Sequence, residues 1–130
     1  MNRPLQHILC VDDEPDILQV ATMCLETVGG FTVTSLSSGI KATAEAISIK
    51  PDLILLDVMM PEMDGPATLK ILRKNPALDH IPIVFMTARV QPQDIEEYMK
   101  LGAAAVIQKP FDPMSIAGEI SEIWKKLLVN

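Results

Sequence analysis

Aromatic side chains make up only 4% of this 130-residue chain, so its core has to be built from Ile, Leu, Val, Met and Ala. Cysteine is nearly absent. Cys10 and Cys24 cannot staple a disulfide framework, and both lie in apolar patterns, which reads as reduced thiols buried in a cytoplasmic protein. Positive charge is in deficit: 11 Lys and Arg against 17 Asp and Glu leave a net charge of −6. That balance argues against direct nucleic-acid binding, which needs a basic surface to meet the phosphate backbone. No apolar run approaches the roughly 20 residues that cross a bilayer, and residues 1–6 lead into no signal-peptide core, so no membrane role is expected. What the chain does have is 48% hydrophobic against 22% charged residues, which excludes a disordered chain and suffices for a single domain over residues 1–130.

Residues 51–66 organise the rest. After the turn residue Pro51, Leu53-Ile54-Leu55-Leu56 forms a short apolar run of the kind buried on both faces of a central parallel strand. The run stops on a carboxylate, Asp57, and a loop then leads to Gly65-Pro66, with Pro66 suited to the first turn of a helix. An acid at the carboxyl end of a central parallel strand sits where open α/β sheets hold their ligands. The same acid also serves as an ordinary turn residue, so the rest of the chain has to decide.

A first strand, His7-Ile8-Leu9-Cys10-Val11, also ends on acids, Asp12-Asp13-Glu14, and Pro15 opens a helix. Its apolar stripe is Ile17, Ala21, Cys24, Leu25 and Val28, closed by Gly29-Gly30. Residues 31–36 alternate as a second, less buried strand. Ser37 or Ser38 caps a helix carrying Ile40, Ala44 and Ile47. A helix over residues 66–75 turns Leu69 and Leu72 inward, and residues 76–82 form a loop. The fourth strand is Ile83-Val84-Phe85-Met86, followed by a helix from Pro92 with Ile95, Tyr98 and Met99, closed by Gly102. The fifth strand covers residues 104–108. Asp112 caps the last helix with Pro113 in its first turn, and Ala117, Ile120, Trp124 and Leu127 or Leu128 form its inner stripe. None of the ten prolines falls inside a strand or helix. Five strands alternating with five helices read as one doubly wound α/β domain with right-handed crossovers.

Strands one, three, four and five end on Asp12-Asp13, Asp57, Thr87 and Lys109, all on one edge of a parallel sheet. Three carboxylates so close repel unless protonated or neutralised, and a hard cation with oxygen ligands, Mg²⁺, fits best. Lys109 adds an ammonium and Thr87 a neutral hydroxyl. Metal, nucleophilic carboxylate, ammonium and hydroxyl around one point make a phosphoryl-transfer site.

The chain resembles the CheY-like receiver domains of two-component response regulators. The resemblance runs over nearly its whole length, through Val11-Asp12-Asp13-Glu14-Pro15, Leu55-Leu56-Asp57-Val58-Met59-Met60-Pro61-Glu62-Met63-Asp64-Gly65, Met86-Thr87-Ala88 and Lys109-Pro110-Phe111. It implies a flavodoxin-like sheet of order 2-1-3-4-5 and a signalling switch rather than an enzyme with a separate substrate. Asp57 accepts a phosphoryl group from a phosphohistidine on a sensor histidine kinase or histidine phosphotransfer protein. Asp13, Asp57 and the Met59 backbone carbonyl bind Mg²⁺ directly, and Asp12 binds it mainly through water. Thr87 and the Ala88 amide bind phosphoryl oxygens, Lys109 pairs with the phosphoryl group, and Lys109-Pro110 is a cis peptide. The implied assembly is a monomer or weak dimer. Any output comes from a partner or from residues outside this sequence.

One position departs from the family. Three residues before the site lysine stands Val106 instead of an aromatic that swings inward as the threonine engages the phosphoryl group. Val is stiff and short, so the face of the fourth helix, fifth strand and last helix is expected to respond less. Arg89 and Met59 flank the site as candidates for controlling water access and phosphoryl lifetime. A phosphate sink or docking module would use the same site. An aspartate-nucleophile phosphatase fits less well: its pattern has the nucleophile on the first strand and a second acid two residues on, where this chain has adjacent acids and then Glu14-Pro15, and a large substrate cap is missing. A flavodoxin-like electron carrier would need hydroxyls and amides where Asp12-Asp13-Glu14 stands.

Overall fold

In a computed structural model, which describes residues 3–129, the strand expected to be central is buried along its whole length: β3 (Leu53–Asp57). Of the expected domain, Met1, Asn2 and Asn130 lie outside the described residues. Burial of both faces explains why β3 reads as an unbroken apolar run, with each fully buried Leu contributing about 2 kcal/mol. Around it the chain alternates β1 (His7–Val11), α1 (Pro15–Thr27), β2 (Thr32–Leu36) and α2 (Gly39–Ile49). After β3 come α3 (Gly65–Lys74), β4 (Ile83–Thr87), α4 (Pro92–Leu101), β5 (Ala105–Gln108) and α5 (Ile116–Val129). All pairings are parallel, in the order β2-β1-β3-β4-β5, so the fold is the five-stranded doubly wound α/β domain expected.

The strand period of two sorts the core into two layers. Leu9, Val11, Ile54, Leu56, Ile83 and Phe85 face α2, α3 and α4. Ile8, Cys10, Leu53, Leu55, Val84 and Met86 face α1 and α5. Neighbouring Arg73 ties down the loop before β4: its Nη1 donates to the carbonyls of Leu78 (3.1 Å) and Ile81 (2.8 Å), whose side chains are buried.

Several helix faces differ from the sequence expectation. In α2 the expected stripe of Ile40, Ala44 and Ile47 faces solvent, and Gly39, Ala42 and Ala46 face inward. The small residues win because α2 lies close against α3: a Cβ at Gly39 would run into the Thr68 hydroxyl of α3, and would lie 2.8 Å from the Met63 carbonyl oxygen in the loop before it. Val28, at the C-cap of α1, is exposed because the helix ends there and the chain turns back toward β2. Ile95 and Met99 of α4 are also exposed, which leaves Tyr98 as its buried residue. At the last helix, Asp112 accepts from the Met114 amide (2.9 Å) and caps a turn over residues 113–115, so α5 begins three residues later than expected. Gly118 sits in open space on α5, and nothing in the structure requires it.

The chain start is strapped to the end of α5. Trp124 Nε1 donates to the Arg3 carbonyl (2.9 Å), the Arg3 guanidinium lies 5.7 Å from the Trp124 ring centroid, and its Nη1 reaches Asp52 at 3.3 Å.

Candidate functional site

The strand register assembles the site. β1 and β3 pair Ile8 with Leu53 through Val11 with Leu56, so one residue further on the chain sets Asp12 beside Asp57. This is where the order of strands reverses, with β1 leading out to β2 on one side and β3 to β4 on the other. One oxygen from each of Asp12, Asp13 and Asp57 falls within 4.8 Å of the others.

Lys109 enters from the end of β5 and binds two of the three acids. Its Nζ donates to Asp12 Oδ2 at 2.9 Å and lies 3.2 Å from Asp57 Oδ1, with Glu14 Oε1 at 3.5 Å. Asp12 is fully buried, and its other oxygen accepts from the Glu14 amide at 2.9 Å. Both oxygens of Asp12 are therefore committed within the protein. Asp13 Oδ1 and Asp57 Oδ2 are buried with no hydrogen-bond partner. Three carboxylates against one ammonium leave an excess of two negative charges, and two unpaired oxygens face it. A divalent cation with oxygen ligands meets both deficits, so the donor set fits a metal ion.

The electrostatics follow from this crowding. Burial, and then the Asp12 charge, push Asp57 up to about 7 against the opposing pull of Lys109. Burial disfavours the Lys109 ammonium, but hydrogen bonds and charges from Asp12 and Asp57 outweigh it and raise its pKa. Beneath the site, burial and the Asp12 charge push the Cys10 thiol up to about 12, so it stays protonated and unreactive.

Asp57, Met59, Thr87, Ala88, Lys109 and Pro110 line one cleft of about 290 Å³, joined by Glu14 and Ile17. Thr87 is buried, and its Oγ1 accepts from the Arg89 amide at 3.0 Å, which leaves the hydroxyl proton free to donate. The Lys109 amide continues the ladder to the Thr87 carbonyl (2.9 Å), and the Lys109-Pro110 peptide is cis. Met59 is 64% exposed over the cleft mouth, whereas Arg89 is exposed and outside its lining. Val106 lies away from the cleft, paired with Phe85.

Behind Asp57 the chain makes a close return. The Gly65 amide donates to the Val58 carbonyl (2.9 Å), and a Cβ at Gly65 would lie 2.7 Å from the Asp57 carbonyl oxygen. Only glycine lets α3 begin that near the end of β3. Asp64 caps α3 by accepting from the Ala67 amide at 2.9 Å. Sequence reasoning missed Glu14 as a partner of Lys109 and Ile17 as a wall of the cleft. Their signal was their place just after the first acidic pair, at the start of α1.

An open parallel α/β domain with an acidic, lysine-bridged cleft at its switch point is the class these observations define. Residues 8–121 match the family model of the response regulator receiver domain, and the chain belongs to that family. It is a signalling domain rather than an enzyme acting on a separate substrate. It is 33% identical over 122 residues to the DNA-binding dual master transcriptional regulator RpaA of Synechocystis, covering 94% of this chain and 50% of that one. Among solved structures, chemotaxis response regulator CheY4 of Vibrio cholerae superposes with a TM-score of 0.85 at 28% identity, over 92% of this chain and 99% of that one. The N-terminal domain of a response regulator receiver protein from Methanoculleus marisnigri gives 0.74 at 33% identity, over 98% and 99%. The chain spans about half the length of the curated relatives it matches. Among the described residues no helix is long and apolar enough to cross a membrane.

Proposed function

We propose that Asp57 accepts a phosphoryl group from a phosphohistidine of a sensor histidine kinase or histidine phosphotransfer protein, and that the acyl phosphate switches an output partner or attached domain. The observation that carries this reading is the pair of buried, uncommitted oxygens, Asp13 Oδ1 and Asp57 Oδ2, at the end of the central strand. Leaving such atoms unpaired costs about 1–3 kcal/mol each or more, a cost removed when ligands arrive. Mg²⁺ would be held by Asp13, Asp57 and the Met59 carbonyl, with Asp12 acting through water, and would supply charge neutralisation for the incoming phosphoryl oxygens.

The chain's own residues do the rest. An Asp57 carboxylate oxygen attacks phosphorus, a P–O bond forms, and the P–N bond breaks with its electron pair leaving on the donor imidazole. Lys109, already against Asp57 Oδ1, stays with the transferred group as a fixed cation. Thr87 donates its free hydroxyl proton to one phosphoryl oxygen and the Ala88 amide donates to another. Met59, over the cleft mouth, and Arg89, exposed two residues after Thr87, would set how readily water reaches the acyl phosphate.

The same reading takes residues 1–130 as a single domain, a monomer or weak dimer working in the cytoplasm. DNA binding belongs to the named relatives; the net charge of −6 supports no direct nucleic-acid contact by this domain. The test is labelling with acetyl phosphate and Mg²⁺. One acid-stable, base-labile phosphoryl group is expected on the native protein and none on Asp57→Asn. Undiminished labelling of the variant at another residue would mean that the nucleophile is misassigned.

A further inference from the structure

A cavity of about 270 Å³ opens at the sheet edge opposite the acidic cleft, lined by the turns that lead into β3 and β4. Part of its lining is apolar: Pro51, Leu78 and Ile81 are buried residues, and Ile47 of α2 stands beside them half exposed. Arg3 and Lys50 bring two cations to the same lining, and Asp52 brings one anion. Asp52 is already met within the chain. Its Oδ2 accepts from the amides of Gln6 (3.1 Å) and His7 (2.9 Å), and its Oδ1 faces Arg3 Nη1 at 3.3 Å. Lys50 takes part in no ion pair among the described residues. The cavity is therefore short of negative charge, in a chain whose net charge is −6. Lys50 is unusual in its backbone as well. It caps α2 at φ 52° and ψ 56°, the left-handed region where glycine or asparagine ordinarily ends a helix. That conformation is costly for a residue with a Cβ, and glycine would avoid the cost. What position 50 supplies is thus its side chain, an unpaired ammonium at the cavity.

We propose that this cavity is a binding site for a small free carboxylate carried on an apolar body. The Arg3 guanidinium is a planar fork that matches a carboxylate, and it carries more N–H donors than Asp52 takes up. Asp52 on one side and the Trp124 ring on the other hold it in place before any ligand arrives. Lys50 adds a second cation, and His80 a ring nitrogen, to the same lining. The apolar body of the ligand would cover Pro51, Leu78 and Ile81. An inorganic anion would leave that surface uncovered, and a neutral apolar molecule would leave Lys50 without a partner. At about 270 Å³ the cavity falls just below the roughly 300–1,000 Å³ of drug-sized sites, so the ligand is small. The site shares no residue with the acidic cleft, and the inference does not depend on the role of Asp57.

Titration of the native chain with phenylacetate, followed by amide nuclear magnetic resonance, tests this. The amides of Ile47, Lys50, Asp52, Leu78 and Ile81 should shift together and saturate in the millimolar range or below. Phenylacetamide, the same body without the charge, should bind about tenfold more weakly or worse, as loss of a charge-assisted hydrogen bond requires. Acetate, the charge without the body, should not saturate. Lys50→Gly should bind phenylacetate severalfold more weakly yet melt close to the native temperature, because glycine suits the left-handed cap. Lost affinity in that variant is then not lost folding. Shifts that grow without saturating would overturn the proposal, as would a saturating response centred on other residues. Equal binding of phenylacetamide and phenylacetate would overturn it too, an arm that needs no variant to fold. So would native affinity in Lys50→Gly, which would leave Lys50 as a solvated charge.

Discussion

Consider Asp57→Asn with divalent cations removed by a chelator. Burial and the Asp12 charge raise the folded-state value of Asp57 from 3.8 to about 7. A carboxyl raised on folding holds its proton more tightly in the native state. Its stabilisation is complete below the unfolded value, falls as pH rises past it, and is lost once pH passes the folded value. About three pH units at about 1.4 kcal/mol each put the loss near 4 kcal/mol at pH 8, to order of magnitude. For a chain of this size that corresponds to roughly 10 °C or more in melting temperature. Asn cannot ionise, so the variant should melt about 10 °C above the native protein at pH 8 and close to it at pH 4. Saturating Mg²⁺ should reverse the ranking at pH 8, because the native carboxylate then has its counter-charge. Thermal melts followed by circular dichroism at the two pH values, with chelator and with Mg²⁺, read this directly. A metal-free variant no more stable than native at pH 8 would refute the reasoning and show that Lys109 compensates the buried charge fully.

Asp13→Ala should weaken Mg²⁺ at least tenfold in calorimetric titration, since it deletes one of the two uncommitted oxygens; unchanged affinity would move the ion elsewhere. Gly65→Ala drives a methyl to 2.7 Å from the Asp57 carbonyl oxygen and 2.8 Å from Val58 Cα. Backbone cannot step aside as a side chain can, so about 2 kcal/mol or more should be lost in urea unfolding, and a loss under half of that would show that the return loop relaxes. Arg89→Ala should raise the dephosphorylation rate severalfold by uncovering the approach to the acyl phosphate; an unchanged rate leaves Arg89 as a solvated charge.

The strands and their acidic ends were legible because a doubly buried strand admits no alternative to an apolar run, and parallel strands present their carboxyl ends on one edge. Asp12, Asp13, Asp57 and Lys109 therefore converge as read. Helix faces were harder wherever two stripes share one period. In α2, Ile40 and Ile47 outscore Ala42 and Ala46 in hydrophobicity, yet the close contact with α3 selects small residues. No property of α2 alone carries that information. The same holds for Tyr98: spacing placed it inward, but its meeting with Phe85 depends on how α4 lies across β4 and β5. Val106 was recognised as a missing aromatic from the chain, whereas the ring that stands nearby comes from another element.

The strap between Arg3 and Trp124 has a spectroscopic consequence. Trp124 is the one indole in the chain, and α5 carries it to the edge of the sheet where β1 and β3 begin, beside Asp52. The acidic cleft is at the other edge, a strand of five residues away, on the order of 15 Å. Tryptophan emission is accordingly dark to the chemistry at Asp57 and bright to the integrity of the base. Fluorescence and phosphoryl labelling then report two independent events in one tube, and a variant that falls silent in one can be tested for folding by the other.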